Sequence, residues 1–129
     1  MNVVDSSGWI EFFLNSRTAH FFAPAIEDPQ ALIVPSIALL EVHRFLSRKA
    51  RPTDLELCLN TMRRGRVIDM DDSRAIAASE AGQRHRLATA DAIMYSAAIE
   101  FGASLWTQEI DYKDLPQVRY IDKTASNPP

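Results

Sequence analysis

Cysteine is almost missing from this chain: of 129 residues only Cys58 could supply a thiol. An intrachain disulfide is therefore excluded. Cys58 falls in the apolar phase of Leu55, Cys58, Leu59 and Met62, a pattern of packing rather than of catalysis. Long apolar runs are missing too. Pro35, Ser36 and Glu41 interrupt the most hydrophobic stretch well short of the ~20 residues a bilayer requires, so no membrane role is expected. The opening Met-Asn-Val-Val-Asp has neither a basic nor an apolar leader segment, and with the lone cysteine it leads to the expectation of a reducing cytoplasm. No glycine-rich phosphate cradle is present, and Ser6 and Ser7 lack the G-x-S-x-G setting of a serine hydrolase. His20, His43 and His85 have no spacing that suggests zinc or a two-histidine ribonuclease. An excess of positive charge is also lacking. The formal net charge is −3 and the pI about 5.5, the wrong sign for a protein that holds nucleic acid chiefly by neutralising phosphates.

What is present is an ordinary globular composition, 47% hydrophobic and 24% charged, at a length that suits one core rather than two. Short apolar runs alternate with helical patterns. Asn2 to Val4 reads as a strand, followed by a helix to about Leu14 and a second from about Thr18 to Ile26. Leu32, Ile33 and Val34 form a buried strand. Pro35-Ser36 then opens a helix to about Lys49, and Pro52 opens another to about Arg63. Val67-Ile68 is the next strand. Asp71 or Asp72 caps an alanine-rich helix to about His85, and a further helix follows Asp91 with Ala90, Ile93, Met94, Ala97, Ala98 and Phe101 on one face before Gly102 closes it. Ala103 to Thr107 and Val118 to Ile121 complete the strands, the latter at an edge, and the end of the chain reads as a loose tail. Continuous apolar strands between helices imply a three-layer α/β/α domain over residues 1–122, with a mostly parallel sheet of four to five strands and a tail at 123–129.

In such sheets ligands bind beyond the carboxyl ends of the strands. Asp5 ends the first strand, Asp91 begins a helix, and Glu109 and Asp111 follow the strand ending in Thr107. Glu41 lies just over one turn into its helix, on a stripe with Ile37 and Phe45, where a charge is costly unless compensated. Converging carboxylates without a lysine suit Mg²⁺ or Mn²⁺, which take hard oxygen ligands and complete their shells with water. Each acid also has a plain structural use, as a helix cap or turn residue. The basic groups Arg44, Arg48, Lys49 and Arg51, then Arg63, Arg64 and Arg66, then Arg84, His85 and Arg86, read as solvated helix ends at least as readily as nucleic-acid contacts. Trp106 reads as core, with base stacking the lesser option. A phospho-receiver domain is disfavoured, because Ser6-Ser7 and Gln108 stand where it needs an acidic pair and a lysine.

Val3-Val4-Asp5-Ser6-Ser7, Leu40-Glu41-Val42, Thr89-Ala90-Asp91-Ala92-Ile93 and Leu105-Trp106-Thr107-Gln108 together resemble the PIN-domain family, and within it the VapC-type toxins of toxin–antitoxin pairs, from about residue 1 to Tyr120. The resemblance implies an Mg²⁺- or Mn²⁺-dependent endoribonuclease, a homodimer, and inhibition by a cognate VapB-type antitoxin. It places Asp5, Glu41 and Asp91 on the family's acidic positions and Ser7 and Thr107 on supporting hydroxyl positions. The family usually carries Asp where this chain has Glu109, so the fourth acid is Glu109 or Asp111. A catalytically silent PIN-like module that binds RNA or protein is the competing expectation. Trp9, Phe12, Phe13, Phe21 and Phe22 crowd the first two helices, and part of that aromatic surface is expected to serve a partner groove.

Overall fold

The computed structural model describes residues 1–125. Five strands, β1 (Asn2–Val4), β2 (Leu32–Pro35), β3 (Arg66–Ile68), β4 (Ser104–Thr107) and β5 (Val118–Tyr120), form one sheet in the order β3-β2-β1-β4-β5. Every neighbouring pair is parallel, with Val3 beside Ile33 on one side and beside Leu105 on the other. Parallel neighbours need crossover connections, and six helices supply those as far as β4: α1 (Ser6–Phe13), α2 (Ala19–Ile26), α3 (Ser36–Leu46), α4 (Pro52–Arg63), α5 (Asp72–His85) and α6 (Thr89–Glu100), while a loop with one 3₁₀ turn (Ile110–Tyr112) joins β4 to β5. The outcome is the expected three-layer α/β/α architecture. No helix of the described residues is long and apolar enough to cross a membrane.

Burial explains the sequence pattern. Strands covered on both faces need apolar side chains at every position, and Val3, Val4, Ile33, Val34 and Leu105 are essentially inaccessible. Pro35 ends β2 in extended geometry, and Ser36 starts α3 directly after it. Asp71 caps α5 by accepting from the Arg74 amide at 2.8 Å. Gly102, at φ +59°, takes the left-handed turn after α6 as its position suggested. α3 stops at Leu46, three residues before the expected Lys49, because Ser47 to Lys49 turn away there.

Two aromatic expectations are corrected. Trp9 and Phe22, placed from sequence in a partner groove, are interior, with relative exposures of 1% and 0%. Gly8 is the reason: its bare Cα lets the Phe22 ring lie where a Cβ would come within 2.6 Å, drawing α1 and α2 together. Phe12, Phe13 and Phe21 remain half-buried against the core. Of the tail expected at 123–129, residues 126–129 lie outside the described residues. Within residues 123–125, the Thr124 amide donates to Asp122 Oδ1 at 2.8 Å and Lys123 Nζ reaches Glu109 at 3.2 Å.

Candidate active site

β1 and β4 lie side by side at the middle of the sheet, and both end on polar residues at the same edge. The Asp5 amide donates to the Trp106 carbonyl at 3.0 Å, which carries the strand pairing to the last residue before α1. Asp5 is 4% exposed. Its Oδ1 accepts from the Ser6 amide at 2.9 Å as the N-cap of α1; its Oδ2 accepts from Thr107 Oγ1 at 2.9 Å and from Ser7 Oγ at 3.3 Å. Three donors thus fix one carboxylate, and none of them is a cation.

Around it a cleft of about 730 Å³ opens, lined by Asp5, Ser6, Ser7, Glu41, Asp91 and Glu109. Glu41 comes from the second turn of α3, where Ser6 Oγ donates to its Oε1 at 2.7 Å. Ile37, Glu41 and Phe45 all line this cleft, Ile37 also packing against the core, so Glu41 is half-buried at a wall and its burial cost is smaller than the stripe implied. Asp91 lies in the first turn of α6, and Tyr112 Oη donates to its backbone carbonyl at 3.0 Å. Glu109 is held through its amide, which donates to Thr107 Oγ1 at 2.9 Å, and its carboxylate is engaged by Lys123. Asp111 is exposed on the single turn after β4 and does not line the cleft, although its charge acts on Asp91.

Burial, reinforced by the charges of Asp91 and Glu109 and opposed by the Thr107 hydrogen bond, pushes the Asp5 carboxyl from its ordinary 3.8 up to about 7. Asp91 is also raised, first by burial and then by the charges of Glu109, Glu41 and Asp111. Burial and the surrounding acids hold the Tyr112 phenol far above its usual range, so it stays a donor. Among the described residues no three His, Cys, Asp or Glu side chains are gathered tightly enough to hold a metal ion as they stand. Mg²⁺ commonly takes only one or two direct carboxylates and keeps several waters. The donor set here fits that requirement: hard carboxylate oxygens, hydroxyl support, and one buried acid short of a counter-charge.

Ser6 and Tyr112 escaped the sequence reading. Ser6 differs from any helix-capping serine only in reaching Glu41, 35 residues away, and Tyr112 carries no local signal at all. The basic residues Arg44, Arg48 and Lys49, read as a helix end, also line the cleft.

A family model described as "PIN domain" matches residues 3–118. Comparison with curated proteins gives no match. Among solved structures, the chain is similar to a toxin–antitoxin complex from Klebsiella pneumoniae, with TM-score 0.78 and 21% identity over 92% of this chain and 96% of that one. A DNA-bound VapBC from Salmonella typhimurium gives TM-score 0.72 and 18% identity, covering 94% and 96%. The sarcin–ricin loop cleaving toxin VapC20 of Mycobacterium tuberculosis gives TM-score 0.71 and 17% identity, covering 90% and 95%.

Proposed function

Because the chain belongs to the PIN domain family, we propose that it is a metal-dependent endoribonuclease and the toxin of a toxin–antitoxin pair. The observation that carries this reading is Asp5: a buried carboxylate at the end of the central strand, oriented by Thr107, Ser6 and Ser7 and crowded by other acids, with no cation paired to it. Such an arrangement is costly unless a bound cation relieves it.

Asp5, Glu41, Asp91 and Glu109 would hold Mg²⁺ or Mn²⁺; of the two candidates for the fourth acid, Glu109 is favoured because it lines the cleft and Asp111 does not. A bound ion would lower the pKa of an attacking water and neutralise charge on the phosphodiester. Thr107 keeps Oδ2 of Asp5 aimed at the cleft while its own oxygen anchors the Glu109 amide, so one hydroxyl positions two acids. Ser6 does the same for Glu41. The water oxygen joins phosphorus as the 3′-oxygen leaves, so the products carry 5′-phosphate and 3′-hydroxyl ends.

The test compares wild type with Asp5→Asn on total RNA, in Mn²⁺ and in EDTA. Cleavage is expected only for wild type with metal, and cyclic 2′,3′-phosphate products would overturn the mechanism. One observation favours the silent, binding-only module instead: Lys123 already neutralises Glu109. Mn²⁺ binding without any cleavage would decide for it. A VapB-type antitoxin would seat an apolar segment against Phe12, Phe13 and Phe21 and direct an arginine or lysine into the acidic cleft. Unchanged antitoxin affinity after alanine substitution of those three rings would remove that part of the proposal.

A further inference from the structure

The acidic cleft has a basic side. Arg44, Phe45, Arg48 and Lys49, from the last turn of α3 and the turn just beyond it, line the same opening as Asp5 and Glu41, and all four are exposed. Among the described residues none of these three cations takes part in an ion pair, whereas Arg51, Arg63, Arg74 and Lys123 each engage a carboxylate. Lys49 Nζ instead lies 4.7 Å from the centre of the Phe45 ring. A helix dipole accounts for cations at a helix end. It does not account for their lining a cleft whose other residues include four acids, nor for an exposed phenylalanine among them.

A polyanion offers both explanations. In a chain of net charge −3, a phosphate brought to the carboxylates is repelled unless its neighbours along the backbone are neutralised. Three unpaired cations beside the acids supply that neutralisation. The ring adds a flat apolar face, and bases can stack on such a face only when they are not paired in a duplex. We propose that Arg44, Arg48 and Lys49 form a subsite for the phosphates flanking the cut in single-stranded RNA, with Phe45 stacking one base. The choice of RNA, rather than another single strand, rests on the nuclease reading above.

The test titrates the full chain in EDTA with a fluorescein-labelled oligouridylate, and with the corresponding RNA duplex, over a series of salt concentrations. Each single-strand phosphate contact contributes a slope of ~0.7 to log K against log salt, so replacing Arg44, Arg48 and Lys49 together by alanine should lower the slope by about 2. Phe45→Ala should weaken binding roughly 5- to 100-fold and leave the slope alone. Arg84→Ala with Arg86→Ala, basic but outside the cleft, should change neither. These side chains are exposed, so matching thermal melts will show that the variants fold. The proposal is overturned if the triple variant keeps wild-type affinity and slope, if the duplex binds as tightly as the single strand, or if wild type does not bind the oligouridylate at low salt. A wild type that binds through this wall yet leaves RNA uncut in Mn²⁺ supports the subsite and sinks the nuclease. Cleavage by the triple variant with unchanged KM sinks the subsite alone.

Discussion

Asp5 does two things with one carboxylate. Oδ1 caps α1, and Oδ2 faces the cleft under Thr107. With its pKa moved from 3.8 to about 7, the folded, metal-free protein keeps a proton on Asp5 across a window in which the unfolded chain has lost it. The folded state binds more protons there, so Asp5's contribution to stability is full below pH ~4 and declines as pH rises, levelling off above about 7. A span of about three pH units corresponds to on the order of 4 kcal/mol. In EDTA the melting temperature should therefore fall between pH 5 and pH 8, and Asp5→Asn should flatten most of that slope; a wild-type curve that rises instead would refute the argument. Thr107→Val removes the donor to Asp5 and the acceptor of the Glu109 amide, at a cost of about 1–3 kcal/mol. It should also move the pH-dependent decline upward, because the Thr107 bond is what lowers the Asp5 pKa. At this scale Asp5 and Glu109 stood out because each follows a strand that an apolar pattern marks, whereas Glu41 and Asp91 were marked by their places near the starts of two helices. Of the hydroxyl partners, Ser7 and Thr107 were legible only through the family resemblance, and Ser6 was not, because it finds Glu41 only once α1 and α3 have met.

Among the elements, α1 is the one most dependent on a single missing atom. Gly8→Ala would put a Cβ within 2.6 Å of the buried Phe22 ring and 2.9 Å of Val4. Neither neighbour has room to retreat, so overpacking of about 1–3 kcal/mol is expected, read as a lowered denaturation midpoint. Any outward shift of α1 carries Ser6 and Ser7 with it, and the proposed cleavage should weaken alongside stability. Most element types and several boundaries were readable from caps and breakers: Pro52 opens α4, Asp71 caps α5, and Gly102 turns the chain after α6. α6 itself was read too simply. A single apolar face was expected, yet Ala92, Met94, Tyr95, Ala97 and Ala98 are all buried. The helix packs against α5 as well as against the sheet, and a helix covered on several sides shows no clear stripe.

For the whole molecule, the alternation of strands and helices foretold a parallel sheet, whereas the strand order did not follow from the pattern. β1 stands in the centre because β4 crosses to its far side, and nothing local in Ser104–Thr107 says which edge it will join. That order gathers acids from positions 5, 41, 91 and 109 at one cleft. A divalent ion binding there and not to the unfolded chain should stabilise the fold by about 2.7 kcal/mol at a hundred times its Kd. Mn²⁺ should accordingly raise the wild-type melting temperature and leave Asp5→Asn nearly unmoved, with no nucleic acid present. The central place of β1 also sets when the cleft can exist. Asp5 is translated 102 residues ahead of Thr107, the hydroxyl that clasps it, and the Trp106 carbonyl that receives its amide is made just as late. A nascent chain stalled before Ser104 has a half-built sheet and a carboxylate without its clasp, so the cell synthesising this protein meets an assembled cleft only after β4 has been made and has crossed to β1.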